Sequence, residues 1–267
     1  MRTGDHLSIH TLLTYNNAPL PSMQLYRIQL DHGSPSISVG NGQGEGLLYV
    51  ITGTVDVYSG SMFLGTIGGR KSVTEACVQC VRLPTLHETI LHVNLRSFAA
   101  DMLWVVETKP LMRCGNLAPY MHCTDTVFHR VGADGYQRVV AEVPRPLGYT
   151  IDCGETLNDP GNTSSWPAHA NANDLSLFAE GKTSWQEVMF FVCPKPGVIH
   201  MNGMFSGAQA VYESRQVGNG MAMTMPLGSH PITAAPDSWM WYFWAYTGNA
   251  LEKRYNRFST DLGVYEK

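Results

Sequence analysis

A chain of 267 residues, 44% of them hydrophobic, can bury either one large core or two of ordinary size. A formal net charge of -4, with 15% charged residues and no Lys/Arg run, provides no electrostatic footprint for nucleic acid or an anionic membrane. No apolar stretch approaches the roughly 20 residues that span a bilayer, and Met1-Arg2-Thr3-Gly4-Asp5-His6 is too polar to open a signal peptide, so a soluble, cytoplasmic protein is expected.

The predicted elements are strands throughout. Runs rich in Val, Ile, Tyr, Phe and Thr occur at Met23 to Leu30, Leu47 to Val50, Thr54 to Tyr58, Cys77 to Leu83, Thr89 to Val93, Met102 to Val106, Tyr136 to Glu142, Val188 to Cys193 and Trp239 to Tyr246. Gly/Pro/Asn/Asp/Ser clusters separate them, and that regular spacing predicts a sandwich or barrel. Only Ala170 to Ala179 and the tail from Asn249 leave room for short helices, and neither sustains a 3.6-residue apolar period. With no βαβ alternation, phosphate-cradling Gly loop or Gly-x-Ser-x-Gly elbow, nucleotide-dependent chemistry is not expected.

Six cysteines (Cys77, Cys80, Cys114, Cys123, Cys153, Cys193) are too sparse for a disulfide scaffold, so free thiols are expected. Cys77-Val78-Gln79-Cys80 has zinc-ribbon spacing but no second pair, and its setting reads as strand.

The two halves share a plan of strand, Gly turn, strand, Pro turn. Leu47 to Val57 and then Arg82 to Glu88 match Val188 to Cys193, Gly197 and then Met225-Pro226-Leu227-Gly228-Ser229-His230. A duplicated barrel follows, with one domain over 1–118 and the second over 119–267. The join falls where Met112 to Pro119 loses strand patterning.

The second half also carries the chemistry. A His (His169, in Trp166-Pro167-Ala168-His169-Ala170-Asn171), a carboxylate heading an apolar strand (Glu187) and a His after a Pro-x-Gly turn (His230) follow the order in which cupin barrels collect metal ligands. The usual His-x-His opening has Asn171 at its second His. An ionised Glu187 on an inward strand face needs a metal or cation. The plainer readings are an exposed strand-end Glu187, a hydrogen-bonded core His230 and a turn residue Asn171. His200 reads as a packing or metal-orienting histidine.

The run Gly154-Glu155-Thr156-Leu157-Asn158-Asp159-Pro160-Gly161-Asn162-Thr163-Ser164-Ser165-Trp166-Pro167-Ala168-His169 resembles the second-barrel signature of 5-deoxy-glucuronate isomerase, a bicupin of inositol catabolism. Phe63 to Val73 is similar to that family's first-barrel Gly-Gly-Arg segment, and Gln186 to Phe191 to its Glu-Val-aromatic strand. Val198-Ile199-His200-Met201-Asn202-Gly203 resembles the related 5-keto-4-deoxyuronate isomerases of pectin breakdown. The resemblance implies an all-β bicupin of two double-stranded β-helix barrels. It implies a metal site in the second, with His169, Asn171, Glu187 and His230 as ligands to zinc, or to manganese or iron. It further implies interconversion of an aldose-like uronate with its ketose isomer. An Asn amide oxygen is a harder, weaker donor than imidazole, so zinc affinity falls or metal preference changes.

Aldose–ketose isomerisation moves a proton between adjacent carbons, so it needs charge stabilisation on two oxygens and one group cycling as base and acid. A divalent ion supplies the first. Glu155, Tyr242, Tyr246 or a metal-bound water are the candidates for the second. The block Trp239 to Tyr246 reads as core, with one edge lining the pocket. Glu45, His87 and His92 lack ligand spacing, so the first barrel is expected to be metal-free and structural. The segment Asn171 to Gln186 reads as a loop over the barrel mouth that shapes substrate choice.

Two other classes use the same residues. His169, His230 and Glu187 also compose the two-His, one-carboxylate triad of a non-haem Fe(II) oxygenase, and a bicupin without its metal would bind a small molecule without catalysis. The expected partners are a small sugar-acid substrate and further copies of the chain in a homo-oligomer, because the aromatic content suits a self-interface.

Overall fold

The computed structural model describes residues 8–13, 23–42, 44–75, 78–84, 89–107, 119–122, 128–146, 148–165, 186–206, 209–225 and 230–247. All regular structure among them is β-strand, and none of it is a helix long and apolar enough to cross a membrane. Two compact units result: Met1–Thr126 with Val143–Ile151, and Val127–Glu142 with Asp152–Lys267. The chain therefore enters the second unit, returns briefly to the first, and re-enters the second.

In the first unit, one six-stranded sheet has the order β1 (Ser8–Leu13), β2 (Met23–Asp31), β9 (Ala99–Glu107), β4 (Gly46–Thr52), β7 (Cys80–Leu83), β10 (Tyr120–His122). The facing four strands run β3 (Ser36–Gly40), β8 (Ile90–Leu95), β5 (Thr54–Ser59), β6 (Met62–Gly68). Period-two alternation selects what they bury: in β8, Leu91 and Val93 are buried while Ile90 and His92 are exposed. Leu91 and Val93 join Ile28, Leu48, Val50, Val55, Val81, Met102 and Trp104 in one core drawn from both sheets. Gly53 makes the tight β4–β5 turn at φ 88°, where an added Cβ would lie 2.3 Å from the Ala99 carbonyl.

The second unit repeats this wiring. Its six-stranded sheet runs β11 (Phe128–Val131), β12 (Arg138–Val143), β13 (Asp152–Asn158), β20 (Met240–Thr247), β15 (Gln186–Val192), β18 (Ala222–Met225). The four-stranded sheet runs β14 (Thr163–Ser164), β19 (Ile232–Thr233), β16 (Gly197–Ser206), β17 (Gln209–Val217). Numbered within each unit, β2–β9 and β13–β20 give the same two sheets, 1-8-3-6 and 2-7-4-5, all antiparallel where paired. This is a double-stranded β-helix built twice, as the repeated sequence plan predicts.

Every strand run read from the sequence overlaps a strand, with ends that differ by a residue or two at Thr89, Tyr136, Cys193 and Trp239; Cys77 to Leu83 shortens to Cys80–Leu83, and Cys77 lies outside the described residues. The short strands β3, β11, β14 and β19 have no continuous apolar run, and pairing defines them. Cys80, Cys153 and Cys193 are buried and take part in no disulfide. Both segments read as possible helices, Ala170 to Ala179 and the tail from Asn249, lie outside the described residues.

Candidate functional site

β20 is buried on both faces, which is why it reads as one unbroken apolar run. Met240, Tyr242, Trp244 and Tyr246 form one face and enter the core of the second barrel together with Met189, Phe191, Ile199 and Ile232. On β15, Glu187 precedes Met189 and Phe191 at two-residue spacing, so its side chain turns to the same interior. His230, two positions before Ile232, does likewise.

The two groups meet there. His230 Nε2 lies 3.4 Å from Glu187 Oε2, with the side chains 1% and 2% exposed. A carboxylate so deeply buried among apolar residues stays ionised only beside a partner of opposite charge or a metal. The segment that carries His230 is held firmly: His200 N–H donates to the Pro231 carbonyl at 2.8 Å. The Ile232 carbonyl accepts from Asn158 Nδ2 at 3.0 Å and Ser164 Oγ at 3.2 Å.

Tyr246 stands directly across the β15–β20 ladder from Glu187 and stacks on Trp244 at 5.8 Å between ring centroids. Tyr242 lies deeper. Its hydroxyl donates to Ser164 Oγ at 2.8 Å, and burial pushes the phenol above its usual range despite that hydrogen bond. Tyr242 is therefore a neutral hydrogen-bonding group at ordinary pH. Trp244 Nε1 donates to Thr156 Oγ1 at 3.2 Å.

Glu155 is not brought to this group. In the β13–β20 register, Thr156 faces Tyr242 and Gly154 faces Trp244, whereas Glu155 pairs with Phe243 and shares the reverse face with Trp241 and Ala245. It is buried there, 4% exposed. His200 also turns outward, between inward Ile199 and Met201, and meets Ser214 Oγ at 2.8 Å. His169, Asn171 and the loop from Asn171 as far as residue 185 lie outside the described residues, as does His87, while Gln186 opens β15. Among the described residues no three His, Cys, Asp or Glu side chains cluster as a metal site; of the four expected ligands Glu187 and His230 are described, and these two lie together.

The interior polar residues Thr156, Asn158 and Ser164 escape the sequence reading. They sit in short, mostly polar runs, Glu155-Thr156-Leu157-Asn158-Asp159 and Thr163-Ser164-Ser165, which read as an exposed face until the inside of the barrel is known. Just beyond β14, Ser165 takes the left-handed conformation at φ 54°, four residues before His169. Such a conformation is costly for a non-glycine residue and persists where surrounding structure imposes it.

Residues 2–263 match the model of the KduI/IolB family. The chain belongs to that family. An IolB-like protein from Salmonella typhimurium LT2 superposes with a TM-score of 0.78 at 20% identity, covering 97% of this chain and 98% of that one. A putative glyoxylate-induced protein from Pseudomonas aeruginosa reaches 0.60 at 8% identity, covering 94% and 84%. A mutant oxalate decarboxylase of Bacillus subtilis reaches 0.62 at 9% identity, covering 96% and 75%. These three likenesses establish the bicupin fold and nothing finer. No curated relative matches the chain. Family membership carries sugar-acid isomerase chemistry as its coarse function.

Proposed function

We propose that the second barrel is a metal-dependent aldose–ketose isomerase acting on a sugar acid such as 5-deoxy-glucuronate or a related uronate. The observation that carries this reading is the Glu187–His230 pair, buried inside the barrel at 3.4 Å in a chain of the KduI/IolB family. One imidazole nitrogen and one carboxylate oxygen suit a divalent ion of the zinc, manganese or iron type, and His169 and Asn171 would complete the set. When bound, such an ion supplies polarisation of two adjacent substrate oxygens.

The protein's own groups do the rest. Tyr242, kept protonated by burial, offers a fixed hydrogen-bonding hydroxyl oriented by Ser164. We assign the proton-carrying role to Tyr246, which stands across from Glu187 on the interior face, rather than to Glu155 on the reverse face. The core aromatics around Tyr242 and Tyr246 keep bulk water from the reacting carbons. We further expect a homo-oligomer; a monomeric mass in solution would contradict that.

The test is metal content per chain in untagged protein purified without chelator, followed by incubation of uronates in D2O. Near-stoichiometric zinc or manganese, with deuterium entering at the carbon next to the carbonyl, is the expected result. Stoichiometric iron with oxygen uptake, or no metal even after reconstitution, would overturn the isomerase assignment.

A further inference from the structure

Because the two barrels share one wiring, their ladders can be compared position by position. In the second, Glu187 lies across from Tyr246 and Gly154 across from Trp244. In the first, Gly46 lies across from Val106 and Tyr26 across from Trp104. Gly46 therefore takes the place of the carboxylate. The six-membered ring of Trp104 occupies the space, so a Cβ on Gly46 would meet its Cη2 at 2.4 Å. No side chain at this position could hold a metal.

At this same end the first barrel has an open pocket. A cavity of about 470 Å³ opens between Gln24, Tyr26 and Ile28 on β2, Val39 on β3, and Trp104 and Val106 on β9. That volume lies within the usual range for small-molecule sites. Its chemistry is specific. Trp104 and Tyr26 supply aromatic surface, and Ile28, Val39 and Val106 supply aliphatic walls. Tyr26 Oη donates to Gln24 Oε1 at 2.6 Å, and among the described residues no partner is seen for Gln24 Nε2. Asn41 at the rim is committed to the fold, donating to the Gly44 and Pro84 carbonyls and accepting from Thr89 N–H. Among the described lining residues there is no Lys, Arg or His, and the one acidic side chain is Glu107. An anion entering this cavity would lose hydration with no countercharge to replace it.

We propose that the first barrel carries a second, metal-free binding site for an uncharged polyhydroxylated ring. Its apolar C–H face would lie on Trp104 and Tyr26, and its hydroxyls would accept from Gln24 Nε2 and donate to Tyr26 Oη. The barrel thereby keeps the position of a binding site while its charge preference is opposite to that of a sugar-acid site. The proposal is independent of the activity of the second barrel.

The experiment uses the full chain and two probes, methyl α-glucopyranoside and glucuronate, with saturation-transfer NMR and calorimetry. Saturation should reach the neutral ring through this site, whereas any glucuronate signal, which the second barrel can supply, should be left unchanged by Gln24→Ala and Val39→Phe. Gln24→Ala should weaken the neutral probe about five- to tenfold, the worth of one hydrogen bond. Val39→Phe, which fills the cavity, should abolish binding, with unchanged urea midpoints certifying the fold of each variant. If Val39→Phe fails to fold, the Gln24→Ala result decides alone. No binding of the neutral probe tighter than about 10 mM, binding that survives the variants, or equal binding of glucuronate at this site would each overturn the proposal.

Discussion

Arg82→Met offers a quantitative check on how the first barrel holds its returning segment. Arg82 and Glu45 are both fully buried, with Nη1 to Oε1 at 3.0 Å. Glu45 Oε2 also accepts from Thr150 N–H, from Thr150 Oγ1 at 2.9 Å and from Ile151 N–H at 2.9 Å, while Arg82 Nη1 donates to the Ile151 carbonyl at 2.5 Å. The pair thus anchors Val143–Ile151 to the first unit. Removing one partner of a buried pair costs roughly 3–5 kcal/mol, and the three remaining donors to Glu45 put the expectation near the lower figure, about 3 kcal/mol at neutral pH.

The cost should depend on pH. Burial raises the Glu45 carboxyl above its ordinary 4.5, and Arg82, the main opposing influence, pulls it down. A carboxylate whose folded value lies above its unfolded value stabilises least where it must ionise, so stability falls as pH rises from 4.5 through the folded value. Without Arg82 the folded value climbs further and that loss deepens. Urea unfolding followed by fluorescence should therefore show a penalty of about 3 kcal/mol near neutrality that shrinks toward about 1 kcal/mol in acid, where Glu45 is neutral. In a Glu45→Gln background the Arg82→Met penalty should be about 1 kcal/mol at every pH. A neutral-pH cost below about 1 kcal/mol, or one flat with pH, would refute the argument.

Glu187→Gln and His230→Ala should each lower metal per chain tenfold or more with the fold intact by circular dichroism; retention of metal by either would remove that residue from the ligand set. Gly154→Ala should destabilise by about 2–3 kcal/mol, because its Cβ would lie 2.4 Å from both the Ala141 carbonyl and Trp244 Cζ2; a melting point within a degree or so of wild type would contradict this. Burial, aided by the Glu45 charge, pushes the Tyr149 phenol from 10.0 up to about 12. Its fold-favoured neutral form contributes fully below pH 10 and the contribution is lost as pH rises toward 12, by at most about 2.7 kcal/mol and about half that after solvent screening. Tyr149→Phe should flatten the alkaline limb of the stability curve by that amount, and an unchanged limb would sink the assignment.

The sequence by itself determined the strands with strong apolar runs, the duplicated plan and the identity of a two-barrel chain, because hydrophobic period and turn chemistry are local properties. It also marked Glu187 and His230, whose positions before an apolar strand and after a Pro-x-Gly turn are visible without coordinates. Which face of each strand is the inside was not local. Only the register of β13 against β20 decided that Thr156, and not Glu155, faces Tyr242, since a one-residue shift exchanges the faces of a strand. Likewise, only the ladder of β4 against β9 revealed Gly46 at the position of Glu187 and the cavity beside it. Burial is a property of the closed barrel, created when two sheets face each other, and neither composition nor spacing along one strand contains it.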